Sequence, residues 1–199
     1  MADTLAELIL LDALSWRRWL SDHHDEEAGV WLVLAKKGTI EPTRLTYDEA
    51  LEEALCHGWI DGLLRRRDEG TYRQRFTPRR ARSPWSQRNV AIAERLLAER
   101  RMHPAGRAAI AGAKRDGRWQ AAYPGQASIE VPPDLAAALA AEPQAEAMFR
   151  TLTSQNRYAV LYRLHNTRRP QTRARQIERF VTMLARGETV HPQERGSKL

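Results

Sequence analysis

The sequence predicts an α+β protein with a small antiparallel-type sheet and packed helices, followed by a helical carboxyl-terminal half. One observation is the continuous apolar, β-branched run at residues 30–35, which is typical of a buried strand. A second is the pair of strand patterns at residues 59–64 and 71–77, separated by an Asp-Glu-Gly turn. The third is that every apolar pattern after Pro78 has helical spacing. Together they predict about three strands with two helices packed on them.

The two helices of this first part have clear start and stop signals. Residues 12–25 carry tryptophans and leucines on one side, and Gly29 ends this helix. Thr46 and Glu49 form a capping box, in which each side chain accepts a hydrogen bond from the other residue's backbone amide. A second helix is therefore predicted to begin after Thr46, and Gly58 ends it.

Hydroxyl and proline residues mark the starts of the later helices. Ser83 is predicted to cap one helix, with Pro84 at its first position. Pro104 is predicted to begin the next, and Ser154 to cap another. The last helix has the i, i+3, i+4, i+7 pattern of a helix packed by one face, formed by Ile177, Phe180, Val181 and Leu184.

The predicted elements divide the chain into a part at residues 1–88 that contains the sheet and a helical part at residues 89–187. We expect the second to pack on the first as one compact unit, and residues 188–199 to form a flexible tail. The last three residues, Ser-Lys-Leu, have the form of a peroxisomal address. The alanine- and arginine-rich composition is typical of a GC-rich bacterial genome, which favours a loose tail over an address.

The composition limits the class of protein. A chain of 199 residues is long enough to bury a core, and its single cysteine, Cys56, excludes an intrachain disulfide and a finger-type zinc site. No segment approaches the roughly 18 apolar residues of a membrane span. The amino-terminal stretch carries Asp3 and Glu7 where a signal peptide would be basic. We therefore expect a cytoplasmic protein with no membrane span and no cofactor.

Charge is unevenly distributed along the chain, whose formal net charge is +7. Residues 1–64 carry 13 acidic and 5 basic residues, whereas residues 65–88 carry nine arginines against two acids. Residues 157–186 carry eight arginines against one acid. Because the guanidinium group suits carboxylates and phosphates, these zones predict an anionic partner, either a small molecule or a polyanion. The alternative is that they pair with the acidic first third.

The best candidate site is the arginine- and tryptophan-rich zone between residues 58 and 89. Trp59 and Asp61 are two apart on a predicted strand and so share a face, with a glycine on either side. The paired strand and the start of the next helix add arginines, hydroxyls and free backbone amides, which favour an anion. The candidate ligand-binding residues are Trp59, Asp61, Arg75, Thr77, Arg79, Arg80, Ser83, Trp85, Ser86 and Asn89.

Two other roles remain open for this zone. In a structural role, Asp61 would pair with an arginine to fix the hairpin, and the tryptophans would lie in the core. In an enzyme, Asp61 would act as acid or base while Arg75 or Arg79 stabilised charge. The sequence contains no phosphate-binding glycine loop and no nucleophile elbow. The cluster of arginines, tryptophans and a helix start in this zone favours a non-enzymatic protein that binds an anionic ligand, although the absence of these motifs does not itself exclude an enzyme.

Three further patterns are weaker candidates. Cys56-His57 contains the residues of a thiol dyad, but neighbours on a helix point about 100° apart. The acidic and histidine run at 23–27 offers fewer ligands than the three or four a metal needs, and a solvated helix end explains it. A carboxyl-terminal group of arginines fits phosphate contacts, a solvated face or a protein-docking surface, and lacks a motif for sequence-specific nucleic-acid recognition: Arg168, Arg169, Arg173, Arg175 and Arg179.

Several segments together resemble one protein family. The most distinctive are Gly-Trp-Ile-Asp-Gly at 58–62 and Arg-Phe-Thr-Pro-Arg-Arg at 75–80. Further matching pieces occur in the same order, at residues 31–37, 47–57, 83–86, 103–106, 168–175 and 183–187. From about Trp16 to Pro192, the chain is similar to the YdeI/OmpD-associated family of bacterial proteins, also called the bacteriocin-protection family.

The resemblance implies a small cytoplasmic protein connected with tolerance of stress or antimicrobial peptides, and it implies no particular reaction. Two positions depart from the family pattern. His57 stands in place of an aromatic residue, which would alter the wall of a pocket. His103 stands in place of a threonine that would cap the next helix, at a cost of about 0.3–1 kcal/mol.

Overall fold

A computed structural model describes residues 7–26 and 28–193. The chain divides into two compact units, with the boundary between Ala122 and Tyr123. The helices at 87–98 and 104–115, which the sequence analysis placed in the helical part, thus belong to the first unit. Within the described residues, none of the helices is long and apolar enough to cross a membrane.

The first unit contains a four-stranded sheet, so the predicted α+β class is confirmed. Its strands are β1 (Glu7–Leu8), β2 (Val30–Ala35), β3 (Trp59–Arg66) and β4 (Thr71–Pro78), in the order β1-β2-β4-β3. β2 pairs antiparallel with β4, and β4 with β3, whereas β1 lies parallel to β2. The sequence analysis missed β1 because two residues are too few to show an alternating pattern.

Four helices accompany the sheet: α1 (Ala13–His23), α2 (Tyr47–Cys56), α3 (Gln87–Ala98) and α4 (Pro104–Arg115). The predicted capping box at the start of α2 is present, with both of its reciprocal hydrogen bonds. His103 caps α4, because its side chain accepts a hydrogen bond from the amide of Ala105. The position therefore keeps a capping side chain despite the histidine.

Helices α1 and α2 cover one face of the sheet. Trp16 and Leu20 of α1 are fully buried there against Leu32, Trp59 and Phe76 of the strands. A second cluster joins α2 to α3 and α4, and its buried members include Leu51, Leu55, Trp85, Leu96 and Ile110. α2 thus belongs to both cores of this unit.

The opposite face of the sheet carries arginines. Side chains alternate along β4, so Arg73, Arg75 and Thr77 point away from the face that α1 and α2 cover. The guanidinium groups of Arg65 and Arg73 lie 4.7 and 6.0 Å from the ring centre of Trp31. Cations therefore cover the buried indole on this side.

The predicted start of the third helix was wrong. α3 begins at Gln87, and its cap is Ser86, whose Oγ accepts a hydrogen bond from the amide of Asn89 (3.1 Å). Ser83 instead accepts a hydrogen bond from the amide of Arg80 (3.1 Å) and stabilises a turn. Both serines fit a capping pattern in sequence, and only the path of the chain distinguishes them.

The second unit is helical, with α5 (Pro133–Ala140), α6 (Pro143–Arg150), α7 (Ser154–His165) and α8 (Pro170–Ala185). The predicted apolar face of the last helix is confirmed, since its side chains pack in the core of this unit. Thr153, not Ser154, caps α7, and its Oγ accepts a hydrogen bond from the amide of Asn156. The core includes Leu135, Leu139, Phe149, Leu161, Ile177, Phe180 and Leu184.

The residues after α8 are attached to α7 as far as the structure describes them. The buried Asn156 donates a hydrogen bond to the carbonyl of His191 (3.1 Å) and accepts one from its amide (2.8 Å). Gln193 accepts a hydrogen bond from the amide of Thr153 (2.9 Å). The predicted tail at 188–199 is thus held at least to Gln193, and its last residues, 194–199, lie outside the described part.

Candidate functional site

The sheet separates the predicted site residues onto two faces. Asp61 pairs with Phe76 across the strands, so both side chains lie on the face covered by α1 and α2. Arg75 and Thr77 alternate with Phe76 and lie on the other face. Asp61 and Arg75 therefore do not meet, and the arrangement required by the enzyme alternative is not formed between them.

The residues on the covered face have structural contacts. Trp59 is fully buried, and its indole Nε1–H donates a hydrogen bond to the carbonyl of His24 (2.8 Å). Asp61 accepts a hydrogen bond from the hydroxyl of Tyr47 (2.9 Å), not from an arginine as the structural alternative required. Burial, followed by the charge of Asp61, raises the pKa of Tyr47 above its ordinary value. The first contact ties the end of α1 to β3, and the second fixes α2 against the hairpin.

The predicted residues on the other face line a cleft at the end of β4. This strand-end cleft encloses about 320 Å³ and is lined by Arg75, Thr77, Pro78, Arg79 and Arg80. It contains three guanidinium groups, and the described residues that line it include no carboxylate. An anion is the ligand that such a lining favours.

A second cleft adjoins the first and shares two of its arginines. This arginine cleft encloses about 360 Å³ and lies between the turn after β4 and the carboxyl-terminal half of α4. The turn contributes Arg79, Arg80 and the buried Trp85, and α4 and the residues after it contribute Arg115 and Arg118. Its only lining carboxylate within the described residues is that of Asp116, so the four guanidinium groups leave an excess of three positive charges.

Backbone carbonyls and an indole ring hold two of these arginines in place. The guanidinium of Arg79 lies 3.7 Å from the ring centre of Trp85 and donates a hydrogen bond to the carbonyl of Pro84 (3.1 Å). Arg118 donates to the carbonyl of Ser83 (2.8 Å) and to the carboxylate of Asp116 (2.9 Å). A neutral carbonyl orients a guanidinium without cancelling its charge, and Asp116 offsets only one of the four guanidinium groups, so the described lining remains cationic.

The remaining predicted residues support the cleft from behind. Ser86 and Asn89 form the cap of α3, which uses the free amide that we expected to attract an anion. Trp85 packs on Trp119, with ring centres 4.8 Å apart, and its indole nitrogen is buried without a hydrogen-bond partner in the described part of the chain. Ser83 contributes through its backbone carbonyl rather than its hydroxyl.

Sequence analysis missed the α4 side of the cleft. Arg115 and Arg118 lie about 30 residues or more after Trp85, in a stretch with little net charge. The small residues Ala108 and Gly112 leave room beneath them, and a Cβ placed at Gly112 would lie 3.9 Å from a nitrogen of each guanidinium. In the sequence, the α4 side of the cleft was indicated only by small residues at helical spacing that precede two arginines.

The weaker candidates have ordinary surroundings. Burial, with a smaller contribution from the charge of Glu53, raises the pKa of Cys56 to about 11, opposite to the change in an activated thiol. His23 packs flat on Trp19, with ring centres 4.5 Å apart. The described residues contain no group of three side chains that could hold a metal ion, while residue 27 of the acidic run lies outside them.

The carboxyl-terminal arginines do not act as a group. Arg173 forms two hydrogen bonds with Asp134 (2.5 and 2.9 Å) and one with the carbonyl of Leu164 (2.6 Å), so it joins α8 to α5 and α7. Arg175 and Arg179 line a groove on α8 together with two carboxylates. Its charge excess is therefore smaller than that of the arginine cleft.

Comparison with known proteins assigns the two parts of the chain to two family models. Residues 8–109, just over half of the chain, match the model described as a domain of unknown function (DUF8412). The chain belongs to this family. Residues 128–187 match the model described as bacteriocin-protection, YdeI or OmpD-associated (OmdA), which confirms the family resemblance for this part. No curated protein and no solved structure matches the chain.

Proposed function

We propose that this DUF8412 protein binds an anionic ligand in the arginine cleft, with the strand-end cleft as an adjoining subsite. The observation that carries the proposal is the sharing of Arg79 and Arg80 by two cationic clefts, whose described lining residues include one carboxylate. A ligand with at least two anionic groups, such as a diphosphate or a polyanion, would use both clefts. Planar guanidinium groups suit the oxygens of phosphates and carboxylates.

The biological setting of this binding follows from the OmdA segment. We propose a cytoplasmic role in tolerance of stress or antimicrobial peptides, in which the protein acts by binding and not by catalysis. The support is the bacteriocin-protection description of the model that residues 128–187 match. The separation of Asp61 from Arg75 also removes one of the two acid–arginine pairs that the enzyme alternative offered.

Titration calorimetry with inorganic pyrophosphate tests the cleft. Arg80 is exposed and lines both clefts, so Arg80→Gln is expected to weaken binding about tenfold and to leave the melting temperature unchanged. Arg82→Gln is the matched control, because Arg82 is exposed on the same turn but lines neither cleft. Equal losses in the two variants, or no binding of pyrophosphate, would contradict the proposal.

Salt dependence distinguishes a defined pocket from a general basic surface. Binding to a polyanion falls steeply as salt rises because counterions are released. A pocket that encloses one diphosphate is expected to lose less affinity, and the indole N–H signal of Trp85 is expected to shift on binding. If all pyrophosphate binding is lost at moderate salt and a polyanion binds only at low salt, the protein binds anions on a general basic surface and not in a defined pocket.

A further inference from the structure

A third cleft lies elsewhere in the first unit, where α1, the end of α2 and the turn between α3 and α4 meet. It encloses about 480 Å³, and we call it the histidine cleft. It shares no lining residue with the arginine cleft. Its polar lining consists of Arg17, Ser21, His57, Arg100, Arg101 and His103.

A close backbone approach forms this cleft. A Cβ at Gly106 would lie 2.2 Å from the carbonyl oxygen of Cys56, so only glycine lets the start of α4 lie against the end of α2. The amide of His103 also donates a hydrogen bond to that carbonyl (3.1 Å). As a result, the ring of His103 stacks on the ring of His57, with centres 5.0 Å apart, and lies 4.8 Å from the ring of His24.

The hydrogen bonds assign a donor to each of the two lining imidazoles. Nδ1 of His57 lies 2.9 Å from the carbonyl of Glu53 and donates to it. Its Nε2 has only a long contact of 3.4 Å with the hydroxyl of Ser21 among the described residues, and that hydroxyl also donates to the carbonyl of Arg17 (3.0 Å). Nδ1 of His103 accepts from the amide of Ala105 (3.3 Å), so its proton is on Nε2. The helix end itself offers little, because Pro104 has no amide proton and the amide of Ala105 is already used.

Arg100 supplies a charge that the local ion pairs do not use. Arg17 and Arg101 bind the carboxylate of Glu53 at 2.6 and 2.7 Å. Arg100 is exposed, and the described residues include no hydrogen-bond or salt-bridge partner for its guanidinium. The residue also has a φ of 58°, in the left-handed region, at a helix end where glycine is usual. The charged side chain at the cleft is thus carried by a backbone conformation that is strained for a residue with a Cβ.

We propose that the histidine cleft binds a tetrahedral oxyanion of the sulfate and phosphate class, held by the guanidinium of Arg100 and the imidazoles of His57 and His103. The donors face an enclosure large enough for such an anion with water. Glu53 does not repel the anion strongly, because Arg17 and Arg101 neutralise it. Free phosphate and a phosphoryl group on a metabolite present the same oxyanion to these donors.

Anion binding at this position is coupled to protonation of His57. Burial lowers the pKa of His57 and opposes protonation, whereas the hydrogen bond to the carbonyl of Glu53 favours it. His103 and His24 would lower this pKa further in their protonated forms. The other charged groups that line the cleft with His57 are Arg17, Arg100 and Arg101. An anion at Nε2 favours the imidazolium form, while His103 stays neutral because the Ala105 amide occupies its Nδ1.

The test is an NMR titration of the imidazole signals of the full chain with sulfate, whose charge is constant between about pH 5 and about pH 8, around the ordinary histidine pKa of about 6.5. Chloride at equal ionic strength serves as the reference. We expect saturating sulfate to raise the pKa of His57 by about one pH unit. This change corresponds to sulfate binding about tenfold more tightly when His57 is protonated than when it is neutral. Unchanged histidine signals, or the same changes with chloride, would overturn the site.

Two variants make the test specific. Arg100→Gly removes the charge and relieves the left-handed backbone, so sulfate affinity should fall about tenfold while the melting temperature stays the same or rises. Arg18→Gln is the control, because Arg18 is exposed on α1 and does not line the cleft. The site is overturned if Arg100→Gly binds sulfate as tightly as Arg18→Gln does.

Two further comparisons define the ligand and separate this site from the arginine cleft. Tighter binding of glycerol 3-phosphate than of inorganic phosphate would support a phosphorylated metabolite, and the reverse would support the free anion. Arg80→Gln should leave the His57 response intact, since Arg80 does not line the histidine cleft. A response lost in Arg80→Gln would show that the effect arises at the arginine cleft and would overturn this proposal.

Discussion

The first unit contains two groups of three or four arginines each, and the two groups have different surroundings. Around Glu53, arginines from three elements bind carboxylates: Arg17 and Arg101 bind Glu53 itself, and Arg95 and Arg101 bind Glu52. In the arginine cleft, Arg79 contacts the carbonyl of Pro84 and the ring of Trp85, and Arg118 contacts the carbonyl of Ser83 and the carboxylate of Asp116. Asp116 is the one carboxylate among the described residues that line this cleft. The first group is an internal ion-pair network, whereas the described lining of the arginine cleft contains four guanidinium groups and one carboxylate.

The type of acceptor, more than the number of arginines, therefore indicates where an anion would bind. Burial raises the pKa of Glu53, but hydrogen bonds from Arg17 and Arg101 and their charges outweigh burial and hold it below its ordinary value. The same contacts raise the pKa of Arg101 despite burial. A network of this kind stabilises the fold, whereas carbonyl-held arginines keep their attraction for an external anion.

The largest expected effect is from removing the centre of the network. Glu53→Ala should lower the free energy of unfolding by about 3–4 kcal/mol, because its buried carboxylate neutralises two arginines that would remain partly buried. Urea denaturation measures this change. Asp116→Ala in the arginine cleft is the comparison, and a loss as large as that of Glu53→Ala would erase the distinction between the two groups.

Helix α4 allows a second test, since its start faces the histidine cleft and its end faces the arginine cleft. Gly106→Ala should lower the free energy of unfolding by about 2–3 kcal/mol, because the new methyl group would overlap the carbonyl of Cys56. Gly112→Ala should raise it by about 0.5–1 kcal/mol, since the position has space and alanine favours a helix. Similar changes in both variants would contradict the described approach of α2 and α4.

The third test replaces one arginine of each group with glutamine. Arg101→Gln should lower the free energy of unfolding by about 2 kcal/mol, because Glu53 loses one of its two charged partners. Arg115→Gln should change it by less than about 0.5 kcal/mol, as for an exposed residue, while weakening pyrophosphate binding. If Arg115→Gln is the more destabilising variant, the arginine cleft is itself a structural network.

The smallest expected effect is a pH dependence of stability that arises from His57 and His103, which lie beside the ion-pair network of Glu53. Burial lowers the pKa values of His57 and His103 in the folded state, so the unfolded chain binds more protons as pH falls. Their contribution to stability is complete above the ordinary histidine pKa of about 6.5 and decreases as pH falls through the folded-state values. Thermal melts of the wild type should show this fall, and His57→Asn should show less of it, whereas a steeper fall in the variant would contradict it.

Much of the fold could be predicted because its signals are local. The apolar run of β2, the capping box of α2 and the periodic face of α8 depend on neighbouring residues alone. The error at Ser83 arose because two serines three residues apart offered equivalent caps. The two-residue strand β1 pairs with a distant strand and has no pattern of its own.

The candidate site was predicted only in part, because it depends on contacts between distant segments. The arginines of the turn after β4 were identified from local charge density, and they do line the two cationic clefts. The sequence could not show that Asp61 and Arg75 occupy opposite faces, because a bulge follows Asp61 and strand register sets the faces. It also could not indicate Arg115 and Arg118, which helix packing brings to the same cleft.

By itself, the sequence determined the fold class, the helix and strand periods and the stretches where arginine is concentrated, because each depends on spacing within a few turns of chain. Tertiary structure decided which arginines meet carboxylates and which meet carbonyls. It also brought His57 and His103 together through the glycine contact between α2 and α4. The physical reason is that an ion pair or a cleft is a property of atoms a few ångströms apart, and only packing determines that distance.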